Sequence, residues 1–287
     1  MNSWLSFFAG VVLLPTVVLA DEATLRLARA LSAEGDGAGA ALEFRRLALG
    51  EDSSAPRAVW FWMAGHAYWR AGQLDQADRM LDRAEDSDPR IASEAVLVRG
   101  ETALGQRKFD ASAFYFESAL RASGDEVTRH AYVVRRLAAV QLQRGQLEEA
   151  RKVLLLDPSS STQNLAAVQA YAEGRDRSPS LGGWLGVIPG GGYAYAGEYA
   201  NALRSLILNG LFMWGLVSTA EEEQWGGFAA LTFFEITWYT GSIYGGIDAS
   251  HRYNRRRLER VVDSISAGAV MTPDYEALPA LRLKYTF

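Results

Sequence analysis

The chain has 287 residues, of which 49% are hydrophobic and 22% charged, with a formal net charge of −5. That balance is ordinary for a globular protein and argues against a general nucleic-acid binder, which carries a basic stripe. With no cysteine and only three scattered histidines (His66, His130 and His251), the sequence has neither a disulfide framework nor a metal-ligand cluster, and no cofactor is expected.

Residues 1–20 read as a secretory signal. Phe7, Phe8, Val11, Val12, Leu13 and Leu14 supply an apolar stretch, and Val18-Leu19-Ala20 ends in a small-residue cleavage pattern. The leading segment has no Lys or Arg, so the alternative is an uncleaved anchor. Either one sends the following residues across a membrane. A chain of this length buries a core without disulfides even in an oxidising compartment.

A repeat follows. Gly72-Gln73-Leu74-Asp75-Gln76-Ala77, Arg107-Lys108-Phe109-Asp110-Ala111-Ser112 and Gly145-Gln146-Leu147-Glu148-Glu149-Ala150 share one pattern: a helix stop, an apolar residue, mostly polar residues and a small one. Gly35 to Ala40 is a weaker copy. The small residues Gly65, Ala77, Ala84, Gly100, Ala138 and Ala150 sit where two helices would cross closely, and large ones fill the space between. One such unit cannot bury its apolar face alone, so several must stack.

The spacing and the run Phe61, Ala64, Gly65, Tyr68, Ala77, Leu81, Ala84 and Pro89 resemble the tetratricopeptide repeat. The resemblance implies an all-α superhelix over residues 21–178: about four repeats, with residues 163–174 as a capping helix. Such arrays bind partner proteins on the face of their first helices. The candidates there are Trp62, His66, Trp69, Arg70, Glu101, Arg135 and Arg136, and Trp and Arg are types that dominate interface energetics.

Arg175 to Ser180 is polar and holds Pro179, so a domain boundary is expected there. Residues 179–260 then read as a membrane-seeking hairpin. Its apolar runs are roughly 202–220 and 225–247, joined by Glu221-Glu222-Glu223-Gln224. The lead-in Pro189-Gly190-x-Gly192-x-x-Tyr195-x-Gly197 resembles the signature of the small TM2-type two-helix membrane domains. Tyr193 stands where that pattern often has Gln, and the resemblance implies a membrane hairpin and little chemistry. Asn209 lies 14 residues before Glu223 and Glu235 lies 12 after it, so the two are expected at one depth. An amide–carboxyl bond between them is expected to set the register, with Gly210, Gly215 and Gly241 allowing close approach.

Arg252, Arg255, Arg256, Arg257 and Arg260 form a basic stretch, expected to meet anionic lipid headgroups. Residues 261–287 are read as a tail. Leu281 to Phe287 alternates with a strand period and resembles the terminal strand of bacterial outer-membrane barrels, but no series of strands precedes it. If the repeats are exported, the arginines lie on the outer side of the membrane, against the positive-inside tendency. A partly interfacial hairpin, an outer-membrane location, or a wholly cytoplasmic chain without a signal would relieve that conflict, and the marginal hydrophobicity of the runs favours the first two.

No catalytic constellation is present. There is no G-x-S-x-G elbow, and Gly190-Gly191-Gly192 lacks the Lys-Ser/Thr of a phosphate loop. The sequence points to a non-enzymatic scaffold of the bacterial cell envelope, exported and membrane-attached, with a periplasmic repeat domain that binds other envelope proteins. The inner and outer membrane are both open to it. The alternative is an accessory subunit of a transport or channel complex, with a hairpin that forms homo-oligomers.

Overall fold

Four chain reversals share one backbone solution. Gly35, Gly72, Arg107 and Gly145 are all left-handed, at φ 87°, 73°, 59° and 74°. After the last three, the next amide reaches back over the helix end: Gln73 N–H to Tyr68 O at 2.9 Å, Lys108 to Ala103 O at 2.8 Å and Gln146 to Gln141 O at 2.8 Å. Such closure satisfies carbonyls that the helix leaves open, and glycine bears the conformation without steric cost. The turns are 37, 35 and 38 residues apart.

The computed structural model describes residues 22–50, 56–122, 127–157, 161–267, 269–273 and 283–286. The expected signal over 1–20 and the terminal Phe287 lie outside them. The chain is all-α apart from a small two-stranded ribbon, and it divides into two compact units.

The first unit runs to Leu165 and takes in the chain again from Ile265. Its helices are α1 (22–34), α2 (Gly37–Leu49), α3 (Arg57–Arg70), α4 (Leu74–Ser87), α5 (Ala92–Gly105), α6 (Phe109–Ala122), α7 (Val127–Gln143) and α8 (Leu147–Leu154). From α2 to α8, each packs on the next, an arrangement compatible with a helical repeat.

Equivalent positions are buried in every copy. Ala28, Gly65, Gly100 and Ala138 line up, as do Ala40, Ala77, Ser112 and Ala150, and then Phe44, Leu81, Phe116 and Leu154. The small residues are required by the crossings. A Cβ on Gly100 would stand 2.8 Å from the Phe116 ring, and one on Gly65 would stand 3.0 Å from Leu81. Ser112 replaces alanine by donating its hydroxyl to Gly100 O at 2.9 Å, so its polar atom is not left bare.

The ribbon also belongs to this unit. Strand β1 (Val270–Pro273) pairs antiparallel with β2 (Leu283–Thr286), Val270 opposite Thr286. The strand period expected over 281–287 is thus realised over 283–286, and the partner strand follows the long last helix.

The second unit spans Ala166–Ser264. The division falls inside α9 (Ser161–Glu173), and the polar linker at 175–180 lies within the second unit. Two short helices follow, α10 (Pro179–Leu185) and α11 (Gly191–Tyr195), then α12 (Tyr199–Glu221) and the 42-residue α13 (Trp225–Ser266). The acidic turn repeats the earlier closure, with Glu223 at φ 55° and Gln224 N–H on Thr219 O at 2.8 Å. Of the two apolar runs, only α12 is long and apolar enough to cross a membrane among the described residues.

Candidate functional site

The first helices α3, α5 and α7 share a face, and the expected binding residues lie on or beneath it. Trp62, His66 and Glu101 are only 0%, 3% and 2% exposed, so they are not free contacts for a partner. Arg70 is exposed, and Trp69, Arg135 and Arg136 are half-buried. The His66 ring stacks on Trp62 with centroids 5.5 Å apart and meets Trp69 at 5.3 Å.

Glu101 is a strut between helices. It accepts from Tyr132 Oη at 2.7 Å and from Arg136 Nε at 2.5 Å, and a second Arg136 nitrogen completes a fork on the carboxylate. Seven residues earlier, Arg129 repeats the device, donating to Glu94 at 2.6 Å and to Ser93 O at 2.6 Å. Both pairs join α5 to α7. A buried carboxylate is tolerable only when paired in this way.

His66 Nε2 lies 3.2 Å from Met271 O in β1. The neutral ring, with its proton on Nε2, donates to that carbonyl. Burial lowers the His66 pKa to about 4; the Met271 bond raises it in part and nearby Arg70 lowers it further. The ring is therefore uncharged near neutral pH.

The second unit is built the opposite way round from a soluble helical pair. Leu206, Leu211, Met213, Trp214 and Val217 on α12 are each more than half exposed, as are Phe233, Phe234 and Ile236 on α13. The polar side chains Ser205, Asn209, Glu235 and Ser242 are buried instead. Ser205 and Ser242 join the helices at 3.0 Å. The exposed Thr237 and Thr240 turn their hydroxyls back onto Phe233 O and Ile236 O, at 2.9 and 2.7 Å. Hydroxyls satisfied by their own helix ask nothing of the surroundings.

Asn209 and Glu235 are buried as expected, but they do not bond each other. Asn209 Nδ2 donates to Ser205 O of its own helix at 2.6 Å. Asn209 Oδ1 and one Glu235 oxygen are buried without a partner. A cavity of about 320 Å³ opens near this row, with Ser205, Ser242, Arg204 and Trp238 in its lining.

Nor do the expected glycines make the close approach. A Cβ on Gly210 or Gly241 would meet nothing within 4 Å, and one on Gly215 would meet only the tip of Leu231, at 3.1 Å. The contact is made by Gly182, Gly192 and Gly246, where α10 and α11 press on α13. A Cβ on Gly192 would lie 2.6 Å from the Gly246 Cα, and one on Gly246 would lie 2.9 Å from the Gly192 Cα.

The signature residues each have a structural part. Pro189 sits in the turn between α10 and α11, and Gly190 and Gly197 are left-handed at φ 82° and 77°. Tyr195 Oη accepts from the Ser178 amide at 3.0 Å, and the Arg177 guanidinium covers its ring at 4.9 Å.

The basic stretch is largely engaged within the unit. Arg252 and Arg256 both hold Glu198, at 2.8 and 2.9 Å. Arg257 pairs with Asp176, donates to Tyr171 O at 2.7 Å and lies over the Tyr171 ring at 4.9 Å. Arg255 and Arg260 are exposed, Arg260 donating to Arg256 O at 3.2 Å. Sequence reasoning passed over Glu198, Asp176 and Met271. The signal for Glu198 was the spacing of Arg252 and Arg256, four apart on one helical face. No protein-family model and no curated protein matches the chain.

Proposed function

We propose that this protein is a membrane-attached, non-enzymatic adaptor of the bacterial cell envelope. Tetratricopeptide-type repeats in the first unit capture other envelope proteins, and the TM2-like hairpin in the second holds them at a lipid surface. The observation that carries the reading is the inverted burial of the second unit, apolar outside and polar within. In water, so much contiguous exposed apolar surface marks an interaction site. In lipid, it is the surface the bilayer requires, and polar groups turn inward.

The repeat unit supports capture in a second way. Its equivalent positions stack into a continuous core, which leaves the first-helix face to carry specificity. Arg70 and Trp69 supply the cation and the aromatic edge there. The test is site-specific photo-crosslinking from position 70 in cells of the source organism. A discrete crosslinked protein, lost with Trp69→Ala, supports the adaptor. No adduct at 70 or at 135 contradicts it.

A second reading rests on a different observation. Asn209 and Glu235 each keep a buried oxygen without a partner. A channel-accessory subunit would use them between copies of the chain. Cysteines at 209 and 235 that crosslink between chains, and not within one, favour that reading.

A further inference from the structure

The ribbon lies on the face that the first helices share. Met271 is 1% exposed and belongs to the same apolar core as Trp62, Leu97 and Tyr132. Its carbonyl oxygen accepts a hydrogen bond from the buried His66 ring on α3, and β2 runs beside α7. The ribbon therefore touches the first helices on either side of α5, and it reaches them from the far end of the sequence.

Nothing in the repeat pattern needs it. The equivalent positions of all four copies are filled by residues before Leu165. A ribbon of two four-residue strands is at best marginal by itself, so the face beneath must stabilise it.

We propose that this ribbon is an intramolecular ligand of the repeat face, and that a partner binds by replacing it with an extended segment of its own. The inference rests on the adaptor reading. The chemistry of the contact specifies the segment. It must present a backbone carbonyl to His66, because a buried N–H left without an acceptor is expensive. It must place an unbranched apolar side chain where Met271 sits, in a closed site that rejects charge. The interior of a helical partner does not meet the first demand, since its carbonyls are taken by its own helix.

The tether explains why the site is filled here. The ribbon is joined to the repeats through the second unit of the same chain, so it rebinds intramolecularly while a partner must arrive from solution. A partner of modest affinity is excluded until it is itself concentrated at the membrane, or until the tail is drawn away.

The test uses the whole chain with a protease site inserted at residue 268 and cleaved after folding in detergent. A fluorescein-labelled peptide of residues 269–287 is then added. The proposal predicts that the peptide exchanges into the cleaved protein and binds the uncleaved protein at least tenfold more weakly. Met271→Asp in the peptide should weaken binding at least tenfold. His66→Phe in the protein should weaken it several-fold, and His66→Gln, which keeps a donor, less so. Helix content should stay constant throughout. Equal binding to cleaved and uncleaved protein, or no exchange into the cleaved form, overturns the proposal. So does loss of helix on release, because the ribbon would then be part of the fold. The adaptor reading fails separately, by the absence of crosslinked partner at position 70.

Discussion

Glu198 accepts both Nε and a terminal nitrogen of Arg252, at 2.9 and 2.8 Å, and so ties the start of α12 to the basic stretch of α13. Arg256 and Asn201 add donors at 2.9 and 2.8 Å. The Arg252 bonds are the main cause that holds the Glu198 pKa down to about 2, from an ordinary 4.5. Below pH 4.5 the unfolded chain takes a proton that the folded one refuses. The stability from this carboxylate is therefore complete above pH 4.5 and is lost as pH falls toward 2. Melts of the detergent-solubilised protein, followed by tryptophan fluorescence, should show the loss in that window. Glu198→Gln should flatten it and cost about 2 kcal/mol at neutral pH.

The three-glycine contact gives a paired prediction. Gly182→Ala, Gly192→Ala or Gly246→Ala pushes a methyl into backbone, and each should cost about 1–3 kcal/mol or prevent assembly of the second unit. Gly210→Ala and Gly241→Ala meet open space, and alanine favours a helix interior by about 1 kcal/mol over glycine. They should be neutral or stabilising. If all five substitutions behave alike in a melting assay, the assignment of the contact is wrong.

Arg107 is the one non-glycine among the repeat turns. The left-handed conformation costs an ordinary residue about 1–2 kcal/mol, and glycine's extra chain entropy returns about 0.5–1 of that. Arg107→Gly should raise the melting temperature of the first unit. Gly72→Ala and Gly145→Ala should each destabilise that unit by about 1 kcal/mol.

His66 predicts a second pH window. Its ring takes a proton near pH 6.5 when unfolded and only at about 4 when folded, because it is buried. The unfolded chain holds more protons between those values, so stability should fall as pH drops from 6.5 to 4. An NMR titration of the ring should find it neutral at pH 5.5. His66→Gln should remove this part of the pH dependence.

Much of the repeat was legible because its signals are local. Left-handed stops and small crossing residues recur at fixed places, and Gly65, Gly100 and Ala138 could be aligned by eye. Glu101 was misread because a polar residue on a first helix looks exposed. Only Tyr132 and Arg136, a repeat further on, reveal that it is a strut. In the hairpin, counting from the turn could not give the direction that Asn209 and Glu235 face. Asn209 turns to Ser205 on its own helix. The close glycine contact was missed because it joins α10 and α11 to α13, elements separated by the whole of α12. Met271 offered no signal at all, since its partner His66 lies 205 residues away.

The central claim is that the outer surface of the second unit meets lipid. The chain has no native cysteine, so single spin labels can be placed at Leu206, Met213, Val217 and Ile236 in proteoliposomes, with Asp75 on α4 as the aqueous reference. The account predicts that the four hairpin positions are open to molecular oxygen and closed to a water-soluble nickel chelate, with the reverse at 75. Nickel access at the hairpin positions equal to that at 75 would place that surface in water and contradict it.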